Sequence, residues 1–306
     1  MGRRPMRKGV PDMKIGISLP TASREAFSPG LASAAQHAEE EGAASLWVND
    51  HLAMVAGARS SYPYSADGHI TWDVSEPQLE AFASLAHVAA VTTTARLGTA
   101  VLVLPQRHPV EVAKAVATID VLSGGRLTLG VGAGWLAEEM HALGYSFEQR
   151  TSRMEECIRL LRACWTGRVD GFDGQHFTTP PGLVMEPRPL QEPGPPVLVG
   201  GASAAARRRA ARVGDGWLPV TDADASSVTA FQPRLAEITE LRKTYSRSGP
   251  FTSILKINCS RASDAEVVAA AVAARQAGFD EAVLDLPWSV PERALRCLRH
   301  AVKAVS

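Results

Sequence analysis

The sequence carries no excess of charge of either sign. Among its 306 residues, 32 Lys and Arg balance 32 Asp and Glu, which gives a formal net charge of +0. A neutral chain has no overall field to attract nucleic acid or an anionic membrane, so neither is expected as a partner. Long apolar runs are also missing, since none reaches the ~18 residues that a transmembrane helix needs.

Cysteine is scarce, and its few occurrences are unpatterned. Cys157, Cys164, Cys259 and Cys297 include no Cys-x-x-Cys pair, the spacing typical of zinc sites and redox dithiols. So few cysteines fit a reducing compartment, and we expect a cytoplasmic protein. The ends of the predicted strands also lack the His-x-His pairs and carboxylate clusters of metal hydrolases, so no metal cofactor is expected.

The N-terminal segment is basic between Arg3 and Lys8, but no apolar stretch follows, so it does not resemble a secretory signal. Residues 1–13 are expected to form a disordered tail. Residues 14–306 contain no linker and no internal repeat beyond a strand–helix unit. This part of the chain is therefore predicted to be a single domain.

What the chain does contain is a regular alternation of short apolar runs and longer amphipathic stretches. Eight runs predict strands, and their continuous apolar character is typical of strands buried on both faces. The predicted strands are 14–20, 44–49, 96–105, 126–132, 195–201, 215–220, 251–259 and 281–287, and the helices between them include 77–94 and 226–246. Eight such units predict an α/β fold, a (β/α)₈ TIM barrel. A doubly wound sheet is the alternative, but no strand precedes the G-x-G-x-x-G of dinucleotide-binding folds.

Two connections are too long to be simple loops. One insertion follows the second strand (52–76) and contains Tyr62, Tyr64 and Trp72, and the other precedes the fifth strand (167–194). Loops of such length in a compact domain are usually functional or disordered, and their aromatic content argues against disorder. We expect both segments to determine substrate specificity.

Chemistry in a barrel of this type is expected where strands end. His51 follows the second strand directly after Asp50, and a histidine at this place can move a proton near neutral pH. A purely structural histidine is the alternative.

Two glycine-rich turns also fall at predicted strand ends. Gly200, Gly201 and Ala202 open a basic helix, where backbone N–H groups and the helix dipole can hold a phosphate. The run 130–135 (GVGAGW) fits the close approach of a flat ring. Ordinary turn chemistry is the alternative for both. Gly98, inside the third predicted strand, indicates a close packing contact.

These motifs together resemble a known family. The runs 97–144 (beginning LGTAVLVLPQRHP) and 199–219 (VGGASAAARRRAARVGDGWLP) are similar to two signature regions of actinobacterial F420-dependent oxidoreductases of the luciferase-like superfamily. LWVNDH (46–51) and SYPYSADG (61–68) resemble two shorter motifs of that group. The resemblance extends roughly from residue 14 to residue 219.

The resemblance implies a homodimeric barrel with a deazaflavin across the carboxyl ends of its strands. It implies that His51 contacts the ring and assists proton transfer, and that Asp50 orients the pocket. The remaining residues implied to bind the cofactor are Ala100 and Val101, at a non-prolyl cis peptide behind the ring, Gly132, Ala133 and Gly134 along the ring or ribityl chain, and Gly200, Gly201 and Ala202 at the phosphate.

One position departs from part of the family. Some sugar-phosphate dehydrogenases of the group carry a catalytic glutamate directly after the glycine-rich turn, where this chain has Trp135, and the acids Glu138 and Glu139 come one helical turn later. The sugar-phosphate reaction is therefore not carried over. Trp135 is expected to line an apolar substrate pocket together with Tyr62, Tyr64 and Trp72.

The resulting hypothesis is hydride transfer between C5 of coenzyme F420 and a small organic substrate, with reduction of an activated C=C, C=N or C=O bond favoured. An FMN-dependent monooxygenase of the same superfamily is the nearest alternative, because FMN shares the ring placement and the phosphate. A non-catalytic deazaflavin-binding protein is the alternative of another class.

Overall fold

The computed structural model describes residues 13–28, 30–65, 67–70 and 72–306. The predicted tail lies outside these residues except for Met13. Met13 is buried in the core, with 5% of its surface exposed.

Eight strand positions form a closed parallel barrel, which confirms the predicted fold class. The strands in chain order are β1 (Lys14–Ser18), β2 (Ser45–Val48), β3 (Arg96–Thr99), β4 (Leu102–Val103), β5 (Leu127–Gly132), β6 (Arg168–Asp173), β7 (Thr178–Val184), β8 (Val197–Gly200), β9 (Gly216–Leu218), β10 (Val220–Asp222), β11 (Thr252–Asn258) and β12 (Glu281–Asp285). The third and sixth positions are each split, into β3 with β4 and β9 with β10. The circle runs β1, β2, β3, β5, β8, β9, β11 and β12, which pairs again with β1.

Helices surround this barrel. They are α1 (Leu31–Glu40), α2 (Ala81–Val91), α3 (Pro109–Leu122), α4 (Ala137–Ala142), α5 (Arg150–Trp165), α6 (Ala204–Val213), α7 (Ala225–Thr229), α8 (Gln232–Thr244), α9 (Asp264–Ala277) and α10 (Pro291–Val305). Several begin at side-chain caps, such as Ser203 before α6 and the capping box of Ser263 and Glu266 before α9. Within the described residues, no helix combines the length and apolar character needed to cross a bilayer.

Two helix predictions need correction. The helix predicted over 77–94 begins only at Ala81, because the Glu80 side chain accepts the N–H of Ala83 and so caps the helix there. The helix predicted over 226–246 is two helices, α7 and α8. Pro233 lies in the first turn of α8, where its missing N–H costs nothing, so it begins a new helix instead of continuing the first.

The insertion before the fifth barrel position is confirmed in place, but it is an antiparallel hairpin of β6 and β7 and not an irregular loop. It packs outside the barrel against α3 and α5. The ring of Phe177 lies 5.5 Å from that of His108, and Glu156 on α5 accepts the backbone N–H groups of Gln175, His176 and Phe177. These contacts hold the hairpin against the helices, and its expected part in specificity remains a prediction.

The barrel interior is filled beneath its mouth by one apolar cluster. Trp47, Leu198, Leu218, Ile254 and Val283 pack together there, all with exposures of 4% or less. A Cβ atom at Gly98 would overlap the indole of Trp47. The predicted close contact at this glycine is therefore confirmed, and the cluster fills the barrel between its two ends.

Candidate active site

The loop after β2 is fixed by a buried ion pair. The Asp50 carboxylate is 5% exposed, and its Oδ1 accepts a hydrogen bond of 2.6 Å from Arg107. Its Oδ2 accepts the N–H of Val103 at 2.9 Å. Burial raises the pKa of Asp50, while the charge and hydrogen bonds of Arg107 and the Val103 N–H act in the opposite sense. Since both oxygens are used to hold the chain, Asp50 orients the turn that presents His51.

His51 is paired with a carboxylate that sequence reasoning did not assign to the site. Its Nδ1 lies 2.8 Å from Oε2 of Glu139, on α4. A carboxylate can only accept here, so the proton lies on Nδ1. Within the described residues Nε2 has no hydrogen-bond partner. In the neutral ring Nε2 can accept a proton, and in the imidazolium it can donate one.

Glu139 is the centre of a small buried network. Its Oε1 accepts the N–H groups of Leu52 and Ala53 at 2.6 and 3.1 Å and the side-chain amide of Gln106 at 3.2 Å. Burial alone would raise its pKa, but the hydrogen bond and charge of His51 and the two N–H groups outweigh burial and lower it. Glu139 is therefore an anion that holds both the imidazole and the loop after it.

The first glycine-rich turn lies against the cis peptide. The bond between Ala100 and Val101 is cis, so the predicted non-prolyl cis peptide is confirmed. A Cβ atom at Gly132 would lie 2.5 Å from the Val101 side chain, and one at Gly200 would lie 2.9 Å from it. These two glycines therefore make room for Val101 as well as for any ligand.

The second glycine turn is a candidate anion cradle at the start of α6. Gly201 has φ of +100°, which other residues adopt only with strain. Its carbonyl accepts the indole N–H of Trp217 at 2.8 Å, and the carbonyl of Ala202 accepts from Arg207 at 2.7 Å. Ser203 caps the N–H of Ala206, which leaves the first N–H groups of the helix for an anion. The turn fits a phosphate.

A lysine at the mouth of the barrel was also missed. Lys256 projects from β11, and its Nζ lies 2.8 Å from Oδ1 of Asn49 and 2.9 Å from Oδ2 of Asp285. The carbonyl of Ala100 lies 3.5 Å from the same Nζ. A lysine within an otherwise apolar strand was the available signal. Lys256 ties the ends of three strand positions together beside the cis peptide.

The insertion after β2 covers this mouth with aromatic rings. The ring of Tyr62 lies 5.0 to 5.3 Å from those of Tyr64, Trp72 and Trp135, and Trp135 lies 5.8 Å from His51, all edge to face. The predicted pocket residues are thus brought together above the histidine. Burial raises the pKa of Tyr62, and the neighbouring Tyr64, Asp285 and Asp222 add to the effect.

Glu138 anchors this lid, the segment 52–76. Its carboxylate accepts the N–H of Arg59 at 2.7 Å, the N–H of Ser60 at 3.2 Å and the hydroxyl of Ser60 at 2.6 Å. The Ser60 hydroxyl bond, followed by the two N–H groups, lowers the pKa of Glu138 to about 2. Glu138 and Glu139, which are adjacent on α4, therefore hold the first half of the lid at both of its ends.

We expect Glu138→Gln to loosen the lid without disturbing His51, and to raise KM for substrate about three- to ten-fold with kcat little changed. The pKa of Glu138 is lower in the folded state than its ordinary value. The hold of Glu138 on the lid is therefore complete above the ordinary carboxyl pKa and is lost only as the pH falls towards about 2. Limited proteolysis within 52–76 should therefore be constant between about pH 5 and 8 and faster in the variant. Equal cleavage rates would contradict this anchoring.

Fold and site together define the class of protein: a (β/α)₈-barrel enzyme with a histidine–carboxylate pair beneath aromatic side chains at the carboxyl ends of its strands. The chain belongs to the luciferase-like monooxygenase family, whose sequence profile matches residues 13–294.

Two relatives illustrate the sequence similarity. An uncharacterised protein of Mycobacterium bovis is 35% identical over 217 residues, which cover 71% of this chain and 73% of that protein. An F420-dependent glucose-6-phosphate dehydrogenase of Nocardia farcinica is 34% identical over 215 residues, 68% of this chain and 57% of that protein. The chain is accordingly an enzyme of the oxidoreductase class.

Two solved structures illustrate the similarity of fold. An F420-dependent secondary alcohol dehydrogenase, in complex with an F420-acetone adduct, superposes with a TM-score of 0.77 at 16% identity, covering 96% of this chain and 99% of that one. The oxygenating constituent of 3,6-diketocamphane monooxygenase from Pseudomonas putida, in complex with FMN, gives a TM-score of 0.72 at 13% identity, covering 96% and 98%. At such identities these structures support the barrel alone.

Proposed function

We propose that the protein is an F420-dependent oxidoreductase that transfers a hydride between C5 of the deazaflavin and a small organic substrate, with reduction of an activated C=C, C=N or C=O bond as the favoured direction. The observation that carries the chemistry is the His51–Glu139 pair beneath the aromatic lid. The choice of F420 over FMN is supported by the relatives named as F420-dependent dehydrogenases at 34% identity.

The residues present fit such a cofactor. Ala100 and Val101 would lie behind the ring, and the turn 132–134 would follow the ring or ribityl chain. The cradle at Gly200, Gly201 and Ala202 would hold the phosphate, since Gly201 adopts a left-handed conformation and a Cβ atom there would lie 3.1 Å from Ala206.

The bound deazaflavin supplies the hydride chemistry at C5. His51 would hold or move the accompanying proton at Nε2. Glu139 would fix the ring through Nδ1–H and balance the charge of the imidazolium. Tyr62, Trp72 and Trp135 would exclude water from the site and favour a flat, apolar substrate. With Trp135 in the place of a catalytic glutamate, a sugar phosphate is not proposed as substrate.

The direct test is to mix the protein anaerobically with reduced F420 and a panel of enones, imines and ketones. The reaction is monitored by the return of absorbance at 420 nm. Turnover of at least one class of acceptor is expected. Binding of F420 without turnover of any acceptor would favour the non-catalytic carrier. Oxygen-dependent product formation with reduced FMN would favour the monooxygenase.

We also propose a homodimer that is formed through α2. This helix, AFASLAHVAAV, contains no Lys, Arg, Asp or Glu, although Ala83, His87 and Ala90 are exposed on it. Phe27, 67% exposed, lines the same groove between α1 and α2. An uncharged, exposed helix face is typical of a contact between subunits. Sedimentation equilibrium should give twice the chain mass of 32.6 kDa, and a monomer at micromolar concentration would exclude the proposal.

A further inference from the structure

Three polar residues form one row across strand ends at the mouth of the barrel. Asp222 on β10 is the register partner of Asn258 on β11, and Asn258 is the register partner of Asp285 on β12. Register partners in a parallel sheet point to the same face. Lys256 lies two residues before Asn258, on that same face, and its Nζ lies 2.9 Å from Oδ2 of Asp285. Because Lys256 also contacts Asn49, which follows β2, the row points into the mouth.

The two carboxylates of this row differ in how their charge is balanced. Asp285 is paired with Lys256. Among the residues that the structure describes, the exposed carboxylate of Asp222 accepts one hydrogen bond, 3.4 Å from the side-chain amide of Asn258, and forms no ion pair. Although the chain as a whole is neutral, this side of the mouth therefore carries one negative charge without a cation beside it.

This charge lies close to the aromatic rings of the lid. Burial and a neighbouring tyrosine raise the pKa of Tyr62, and the charges of Asp285 and Asp222 raise it further. Both carboxylates therefore act on the central ring of the lid, which packs edge to face with Trp72 and Trp135. The faces of aromatic rings carry partial negative charge and attract cations. Rings and carboxylate together favour a positively charged ligand.

We propose that the substrate of this site is a small imine, reduced in its protonated, cationic form, and that Asp222 determines the specificity for its charge. The inference rests on the proposed function and selects one of the three acceptor bonds considered there. Of these bonds, C=N alone is basic enough to be protonated near neutral pH, and Nε2 of His51 is the nitrogen that can supply the proton.

The reaction that follows is balanced. A hydride adds to the carbon of the protonated C=N bond, the π electron pair of that bond moves to nitrogen, and the neutral amine is formed. The two electrons come from reduced F420, which is oxidised. A neutral ketone or enone of the same shape would gain nothing from Asp222.

Binding without turnover tests the preference for charge. The protein, saturated with oxidised F420, is titrated calorimetrically with N-methylpyridinium and, separately, with toluene, its neutral isostere. Wild type should bind N-methylpyridinium about ten-fold more tightly, and the preference should shrink as salt is raised from about 0.05 to 0.5 M. Asp222→Asn should remove most of the preference, and Asp222→Glu should retain part of it. Asp170→Asn is the matched control, because Asp170 is 90% exposed on the hairpin outside the barrel.

Turnover with reduced F420 gives a second measurement. Asp222→Asn should raise KM for the cyclic imine methylpyrroline about five- to ten-fold and leave KM for cyclopentenone within about two-fold. Equal affinity of wild type for the two probes, or binding of neither, would overturn the inference and leave the proposed function intact. An equal change of KM for imine and enone would also overturn it. Failure of F420 to bind, seen before either probe is added, would instead refute the proposed function and this inference with it.

Discussion

Replacing His51 with glutamine is expected to lower kcat of hydride transfer by about 100-fold or more, while the cofactor dissociation constant stays within about two-fold. The imidazole is the group with a nitrogen free to exchange a proton at the centre of the site, and the Glu139 carboxylate is already used to hold it. Stopped-flow measurement of the 420 nm signal separates the chemical step from binding.

The matched control is His141→Gln, an exposed histidine on the same short helix as Glu139. It should leave both kcat and binding unchanged. A His51→Gln variant that retained more than about a third of wild-type kcat would show that His51 is a structural residue and that the proton comes from elsewhere.

Glu139→Gln is expected to have the second largest effect, because it replaces an acceptor of four hydrogen bonds by a group that must also donate. The side-chain amide cannot satisfy His51, Leu52, Ala53 and Gln106 together. Leaving buried donors unpaired costs about 1–3 kcal/mol. Loss of the imidazole position should lower kcat about 10- to 100-fold, and thermal and kinetic measurements on one preparation give both quantities.

A Glu156→Gln variant separates the loss of stability from the loss of kcat. Glu156 is buried to a similar degree and accepts three backbone N–H groups, but at the hairpin outside the barrel. It should destabilise the fold comparably and leave kcat near the wild-type value. If both variants lost kcat alike, the loss in Glu139→Gln would reflect stability and not the positioning of His51.

The pH dependence of the destabilisation caused by Glu139→Gln follows from the direction in which the pKa of Glu139 is shifted. The pKa of Glu139 is lower in the folded state than its ordinary value of 4.5. Its contribution is therefore fully present above about pH 4.5 and is lost as the pH falls through the lower, folded-state pKa. The difference in stability between wild type and Glu139→Gln should be constant at neutral pH and shrink on acidification.

The barrel could be predicted because its signal is local. Each strand is an apolar run and each helix an amphipathic one, and the strand ends then bring His51, Ala100, the glycine turns and Asp285 to one face. The aromatic lid residues were also found, since an aromatic-rich long insertion after a strand indicates a site. The roles proposed for these residues remain predictions.

The parts that were missed depend on contacts between distant positions. His51 and Glu139 are 88 residues apart, and α4 is too short to give a periodic signal. Lys256 and Asn49 are 207 residues apart. The hairpin of β6 and β7 was hidden because Pro180, Pro181 and Gly182 within β7 disfavour a strand, although its exposed edge position tolerates them.

The central claim, that the protein uses F420, is tested most directly by titrating the apo-protein with oxidised F420 and, separately, with FMN. Binding is measured by the quenching of tryptophan fluorescence. Trp135 and Trp72 lie above the site and should report occupancy. The account predicts micromolar binding of F420 and at least ten-fold weaker binding of FMN. Preferential binding of FMN, or binding of neither, would contradict it.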